Sequence, residues 1–230
     1  MNVPFSTASL EPEIDQKLIL ALPKGRILAE CGQLLAHAGI VPSADYTDED
    51  SRRLRFETND PELDVVRVRS FDVATFVAFG AAQIGICGAD VLMEFDYPEI
   101  YAPLDLGIGA CRVSVAEPVE TAGSDDPRTW SRVRVATKYP NIARRHYAAR
   151  GINADVVHLN GAMELAPGLG LTRLIVDLVA TGSTLKANGL VETEVIARVT
   201  SRLIVNRTAL KTHPEQVGAW IARFRAALAG

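Results

Sequence analysis

The sequence predicts an α/β protein built as two small lobes on mostly parallel sheets. Short continuous apolar runs alternate with segments of helical spacing. The 230 residues exceed a single domain of about 150 without reaching two full ones. One long extended stretch is interrupted by Gly107 and Gly109, where a chain passing between lobes would bend. A cleft between such lobes is the default place for a ligand.

Each element follows from its local pattern. Met1 to Glu13 carries Pro4, Glu11, Pro12 and Glu13 with neither a basic start nor an apolar centre, so it reads as a loose extension rather than a signal peptide. Leu18 to Leu22 is a buried strand ended by Pro23. Ile27, Leu28, Cys31, Leu34, Leu35 and Ala38 recur at helical spacing before Gly39 stops the helix. Arg53 to Glu57 and Leu63 to Arg69 are strands around an Asn59-Asp60-Pro61 turn, and Ser70 is placed to cap a helix over Phe71 to Phe79. Ile84 to Cys87 is a second buried strand, followed by a helix through Met93. Leu104 to Val115 is extended around its glycines, and Glu117 to Arg128 is a polar turn region. Val133 to Thr137, Asp155 to Leu159 and Leu174 to Val179 are strands, with a helix over Asn141 to Arg150. Thr193 to Asn206 is extended, and Val217, Trp220, Ile221, Phe224 and Leu228 form the apolar stripe of a last helix from Pro214.

Composition removes several classes. With 48% hydrophobic and 23% charged residues, the chain is neither disordered, collagenous nor a coiled coil. A net charge of -4 argues against a nucleic-acid coat or a polybasic membrane anchor, while leaving room for a local positive field. Cys31, Cys87 and Cys111 form no C-x-x-C pair and read as thiols in a reducing compartment. No apolar run reaches the length of a membrane span, so the expected location is the cytoplasm. There is no G-x-S-x-G elbow, and His37, His146, His158 and His213 lack metal-ligand spacing.

Four segments carry chemistry. In Val176-Asp177-Leu178-Val179-Ala180-Thr181-Gly182-Ser183-Thr184 a buried strand runs into a hydroxyl-rich turn that opens a helix. That turn reads two ways: as a phosphate cradle of backbone N–H groups and hydroxyls, with Asp177 placed for vicinal ribose hydroxyls, or as an ordinary turn capped by Thr181 or Ser183. Lys24-Gly25-Arg26 stands where the first strand meets the first helix, suiting a phosphate or merely a solvated turn. Of Arg52, Arg53 and Arg55, the last two share a strand face and have acidic neighbours to answer, which leaves Arg52 the freer for an anion. Finally, Arg128, Arg132, Arg134, Lys138, Arg144, Arg145 and Arg150 crowd a stretch with no acidic residue, and Ala136 to Asn141 is another strand-to-helix anion turn. A solute-binding protein or an RNA-associated regulator remains open on these features, although the first would need export and the second more aromatic residues.

Taken together, Ala21-Leu22-Pro23-Lys24-Gly25-Arg26-Ile27, Ala136-Thr137-Lys138-Tyr139-Pro140-Asn141, Met163-Glu164-Leu165-Ala166-Pro167 and Val176 to Leu190 resemble ATP phosphoribosyltransferase, in order, from about Leu18 to Lys211. The resemblance implies a two-lobed, periplasmic-binding-protein-like (type II) fold with mixed sheets and a cleft between the lobes. Residues 1–13 would be a flexible extension, 14–104 with 187–230 the first lobe, and 105–186 the second. It implies transfer of the 5-phosphoribosyl group from phosphoribosyl pyrophosphate to N1 of ATP, with release of pyrophosphate, as the first step of histidine biosynthesis, with Mg²⁺ accompanying the substrate phosphates. Ala180, Thr181, Gly182, Ser183 and Thr184 would hold the 5-phosphate, with Asp177 and Glu164 on the ribose. Arg52 and Arg26 would serve the leaving pyrophosphate, and Lys24, Arg69 and Asp90 the ATP; no metal ligand is assigned. The family's short form lacks a regulatory domain, and 230 residues match it. The resemblance therefore implies a homodimer and a hetero-oligomer with a histidyl-tRNA-synthetase-like regulatory subunit, with no nucleic-acid or membrane partner. Two departures stand out: Thr172-Arg173 where the family usually has a small residue and then aspartate, and Arg53 where short forms often have lysine.

Overall fold

The computed structural model describes residues 17–25, 27–48 and 51–229. The extension expected over 1–13 and the side chain of Arg26 lie outside the described residues.

The chain runs β1 (Leu18–Pro23), α1 (Ile27–His37), β2 (Arg55–Glu57), β3 (Leu63–Val68), α2 (Ser70–Ala78), β4 (Ile84–Gly88), α3 (Ala89–Phe95) and β5 (Ile100–Asp105). It continues with β6 (Cys111–Pro118), β7 (Arg132–Thr137), α4 (Pro140–Ala148), β8 (Asn153–His158), α5 (Leu165–Gly168), β9 (Leu174–Val179), α6 (Ser183–Ala187) and β10 (Leu190–Val199). It closes with β11 (Ser201–Asn206), α7 (Arg207–Thr212) and α8 (Pro214–Ala227). Arg69, not Ser70, occupies the cap position of α2, and Ser70 is already its first helical residue.

Two sheets result, ordered β2-β3-β1-β4-β11-β5 and β10-β6-β9-β7-β8. Each holds three mutually parallel strands, central in the first sheet and at one end of the second: β1 pairs with β3 and β4, and β7 with β8 and β9. The flanking strands β2, β5, β11, β6 and β10 pair antiparallel, so the sheets are mixed rather than mostly parallel. Local apolar runs locate strands but carry no direction, and the central βα units alone set the parallel expectation.

The first crossing from one sheet to the other lies between β5 and β6. Gly107 and Gly109 take φ of +66° and +64°, a region glycine enters without a Cβ penalty, and they divide the extended stretch into β5 and β6. The return is later than the boundary at residue 187: β10 is hydrogen-bonded along β6 in the second sheet, and the chain passes back at Thr200. The two crossings lie side by side, with Leu106 N–H on Ser201 O and Ser201 N–H on Ile108 O, both at 2.9 Å.

Packing follows the helix stripes. On one face of the first sheet, Leu34 and Leu35 of α1 meet Val217, Trp220 and Phe224 of α8 over Leu20, Leu22 and Leu203. Val73 and Val77 of α2 cover the other face with Val91 of α3. In the second lobe Ile142 and Tyr147 of α4 close over Val135 and Val176. Among the described residues no helix is long and apolar enough to cross a membrane.

Candidate active site

In open α/β sheets the ligand loops leave the carboxyl ends of the parallel strands. In the first sheet β1, β3 and β4 end at Pro23, Val68 and Gly88, which puts Lys24, Arg69 and Asp90 along one edge. Because β2 is antiparallel to β3, with Arg55 opposite Val66, the approach to β2 through Arg52 lies at that same edge. In the second sheet the corresponding ends release Lys138, Leu159 and Ala180. A cavity of about 680 Å³ joins the two edges, with Arg69, Phe71, Glu94 and Phe95 from one lobe and Lys138, Asn141, His158 and Asn160 from the other.

The hydroxyl-rich turn forms a second, smaller cavity of about 180 Å³, walled by residues Thr181 to Leu185, Asp177, Glu164 and Cys111. Gly182, rather than Thr181 or Ser183, takes the cap position of α6, at φ +80°. The Thr181 hydroxyl accepts the Ser183 N–H at 3.3 Å and lies 3.0 Å from the Ser183 hydroxyl. Hydroxyls and backbone are thus folded toward the same space.

Asp177 is partly buried at the end of β9, and its carboxylate accepts the N–H of Leu178 at 2.8 Å. Burial raises its pKa to about 6; the Glu164 carboxylate adds to the rise, while Lys138 opposes it. Lys138 extends over the ring of Phe71, 3.9 Å from its centroid, so the ammonium lines the large cavity while acting electrostatically on Asp177 of the small one. Asp90 is buried and accepts the Tyr139 hydroxyl at 2.8 Å across the lobes. Burial raises its pKa as well, against the lowering effect of that hydroxyl. A Cβ on Gly88 would stand 2.0 Å from Asp90 Oδ1, so only glycine lets this carboxylate fold back over the strand end.

Beneath the turn, Arg112 of β6 donates to Ala180 O at 2.9 Å and pairs through two nitrogens with Glu192 of β10. Ser114 donates to the same carboxylate at 2.8 Å. The guanidinium thereby ties the last residue before the turn to the sheet.

A sequence model of the family described as HisG: ATP phosphoribosyltransferase matches residues 69–226. The chain belongs to the ATP phosphoribosyltransferase family. An ATP phosphoribosyltransferase of Paramagnetospirillum magneticum is 67% identical over 93% of this chain and 98% of its own length. That of Gluconobacter oxydans is 69% identical, over 96% and 91%. A chain of the ATP phosphoribosyl transferase (HisG:HisZ) complex from Thermotoga maritima superposes with a TM-score of 0.77 at 31% identity, covering 92% of this chain and 97% of that one. The fold is therefore the two-lobed type II periplasmic-binding-like one. The chain is a transferase that joins phosphoribosyl pyrophosphate and ATP in the first step of histidine biosynthesis.

In this ATP phosphoribosyltransferase the predicted residues fall into groups. Glu164, Asp177 and Ala180 to Thr184 share the small cavity. Arg69 lines the large one. Lys24 is exposed at the end of β1, its N–H bonded to Val68 O at 2.8 Å. Asp90 lies under the cleft rather than on either cavity wall. Arg52 is exposed, whereas Arg53 and Arg55 are committed to Asp45 and Asp64, each at 2.7 Å.

The basic stretch is largely neutralised: Arg128 pairs with Asp126, Arg132 and Arg134 with Asp155, and Arg150 with Glu194. Its anion turn is filled from within, since the Glu94 carboxylate accepts the N–H groups of Asn141 and Ile142 at 2.9 and 3.0 Å. Arg173 stands at the opposite end of β9 from the turn, paired with Glu117 and Asp125 and lying over Trp130. The departure at 172–173 thus borders a separate groove of about 650 Å³.

Three residues were missed. Lys138 sat within a recognised motif and a charged run, either of which could have marked it. Arg112 and Glu192 lie 80 positions apart and meet only through sheet pairing, so no local signal names them.

Proposed function

We propose that the small cavity seats the ribose 5-phosphate part of phosphoribosyl pyrophosphate and that the inter-lobe cavity seats ATP. The observation that carries this reading is the convergence of Asp177 and Glu164 with the turn from Thr181 to Thr184 around one space of about 180 Å³. That space suits a sugar phosphate, while the 680 Å³ cavity lies within the range of about 300–1,000 Å³ usual for nucleotide-sized ligands. Asp177 and Glu164 accept the ribose hydroxyls, and the turn holds the 5-phosphate. Lys24 and Arg69 face ATP, with Asp90 supporting the cleft from beneath. Arg52 and Arg26 meet the leaving group.

Adenine N1 attacks C1 with its lone pair, and the C1–O bond to pyrophosphate breaks with its electrons leaving on that oxygen. No proton need be removed first, so the chain supplies position and charge rather than a base. As C1 becomes oxocarbenium-like, the carboxylates of Asp177 and Glu164 would stabilise the growing positive charge, and Arg52 the negative charge growing on pyrophosphate. Among the described residues no three acidic, histidine or cysteine side chains converge as a cage. Asp177 and Glu164 suit a Mg²⁺ carried mainly by substrate phosphates, which when bound would neutralise charge on the pyrophosphate.

The Thermotoga HisG:HisZ complex supports a further reading, that this chain assembles with a second, regulatory subunit; that this subunit is histidyl-tRNA-synthetase-like, and that the chain also forms a homodimer, follows from the family resemblance alone. Pyrophosphate release with both substrates tests the residue roles. Arg52→Ala should lower kcat by about 100-fold, the scale of losing one preorganised charge contact, with an unchanged circular dichroism spectrum. Turnover near that of the parent would remove Arg52 from the leaving-group role.

A further inference from the structure

Arg67 of β3 is a buried cation that no part of this chemistry uses. It is 5% exposed, and no carboxylate pairs with it among the described residues. Its guanidinium donates to backbone carbonyls instead: Tyr46 O at 2.6 Å, Asp48 O at 3.3 Å and Ser51 O at 3.5 Å. It lies against the rings of Phe56 and Tyr46, 5.1 and 5.9 Å from their centroids, and its Nε has no partner among the described residues.

Burying a cation with no carboxylate partner among the described residues is unfavourable, and an apolar side chain of similar length would fill the space without the desolvation penalty. What the guanidinium adds is directional: charge-assisted bonds to three carbonyls of one loop. The backbone of the same residue completes the arrangement, because Arg67 N–H donates to Leu54 O at 2.8 Å. Ser51 and Leu54 are therefore both fastened to Arg67, and the two residues between them are Arg52 and Arg53. Arg53 is further held by Asp45. Arg52 is exposed, at the edge where the first sheet meets the cleft.

We propose that Arg67 is a positioning residue for Arg52, bracing the loop on both sides so that an exposed, flexible side chain projects from a fixed backbone. The proposal rests on the reading that Arg52 meets the leaving pyrophosphate. It explains why a cation is buried where stability alone favours a hydrocarbon, and why its bonds go to the backbone of this loop.

The test uses the full chain with Arg67→Met, Arg67→Lys, Arg52→Ala and the Arg67→Met/Arg52→Ala double variant. Arg67→Met should keep the circular dichroism spectrum and leave KM for ATP within about two-fold, while kcat falls by about 10-fold to 100-fold, the scale of a misplaced catalytic group. Arg67→Lys should recover part of that loss. In the Arg52→Ala background the same Met substitution should cost less than about two-fold further, because both changes remove one function. Trypsin should cut after Arg52 or Arg53 about 10-fold faster in Arg67→Met, since cleavage reports local opening. If Arg67→Met does not fold, Arg67→Lys carries the test, with an intermediate loss of kcat and faster nicking expected. Undiminished kcat in a folded Arg67 variant, or an equal loss in both backgrounds, overturns the positioning role alone. Full turnover by Arg52→Ala overturns the leaving-group reading, and the positioning role falls with it.

Discussion

Burial holds the Asp177 carboxyl near a pKa of about 6, with Glu164 raising it further and Lys138 pulling it down. A carboxyl whose folded pKa lies above its ordinary 3.8 binds protons more tightly when folded, so its ionised form weakens the fold above pH 6. The penalty fades as pH falls from 6 toward 3.8. Substrate hydroxyls need that same ionised form as an acceptor. Asp177→Asn should therefore raise the melting temperature at pH 7 by a few degrees, for a gain on the order of 1–2 kcal/mol after allowing for partial exposure. The advantage over the parent should close toward pH 4. Titration calorimetry should show phosphoribosyl pyrophosphate binding weakened by about 10-fold or more, the scale of a lost charged hydrogen bond. In the parent, affinity should rise as pH rises through 6. Unchanged affinity in Asp177→Asn would remove the ribose contact.

At the scale of elements, the junction between α3 and α4 is the point where the lobes grip each other. Glu94, 3% exposed, places its carboxylate on the first N–H groups of α4, where the helix dipole favours an anion. Asn141 returns a bond to Glu94 O at 3.1 Å, and Arg145 donates to Met93 O. Glu94→Ala leaves those N–H groups, one part-buried and one buried, without their carboxylate acceptor and should cost about 1–3 kcal/mol. That corresponds to several degrees in thermal denaturation at this size. Glu94→Gln, which keeps an acceptor, should lose less; equal melting of all three proteins would show that the contact does not hold the lobes. The anion turn at Ala136 to Asn141 was legible in the sequence, but its occupant was not, because Glu94 sits 47 positions away on another lobe. The same limit separates what could be read elsewhere. Pro23 and Gly39 bound β1 and α1 locally, and Gly107 marks the first crossing. Nothing local to Thr200 distinguishes a strand that changes sheets from one that continues, so β10 and β11 read as a single extended run. The turn at Thr181 to Thr184 was visible as a sequence of hydroxyls and glycine, whereas Arg112 beneath it depends on the pairing of β6 with β9 and β10.

For the whole molecule, two adjacent crossings are the only backbone links among the described residues between the sheets that flank the inter-lobe cavity. Thr200 Oγ1 donates to Asp105 Oδ1 at 2.6 Å, Arg202 pairs with Asp105 at 3.0 Å, and Gly109 N–H meets Glu30 Oε2 at 2.8 Å, so the crossings are braced at both ends. Such a hinge lets a bound protein alter turnover by biasing the lobes, without contributing a catalytic group. The chain it matches in the Thermotoga complex is covered over 97% of its length, so the comparison extends across nearly all of a subunit that works within an assembly. We propose, from the resemblance to the family's short form, that feedback by the pathway's end product histidine is sensed by the regulatory partner. Alone, this chain should release pyrophosphate at a rate that histidine does not change. Mixed with a histidyl-tRNA-synthetase-like subunit, it should move to a larger species by light scattering and become histidine-sensitive. With an effector coupling of the usual size, about 5- to 150-fold, inhibition should be plain in a steady-state assay. By linkage, the two substrates together should weaken histidine binding to the complex by the same factor that histidine weakens theirs. Histidine inhibition of the chain by itself would place the sensor within these lobes and overturn the division of labour.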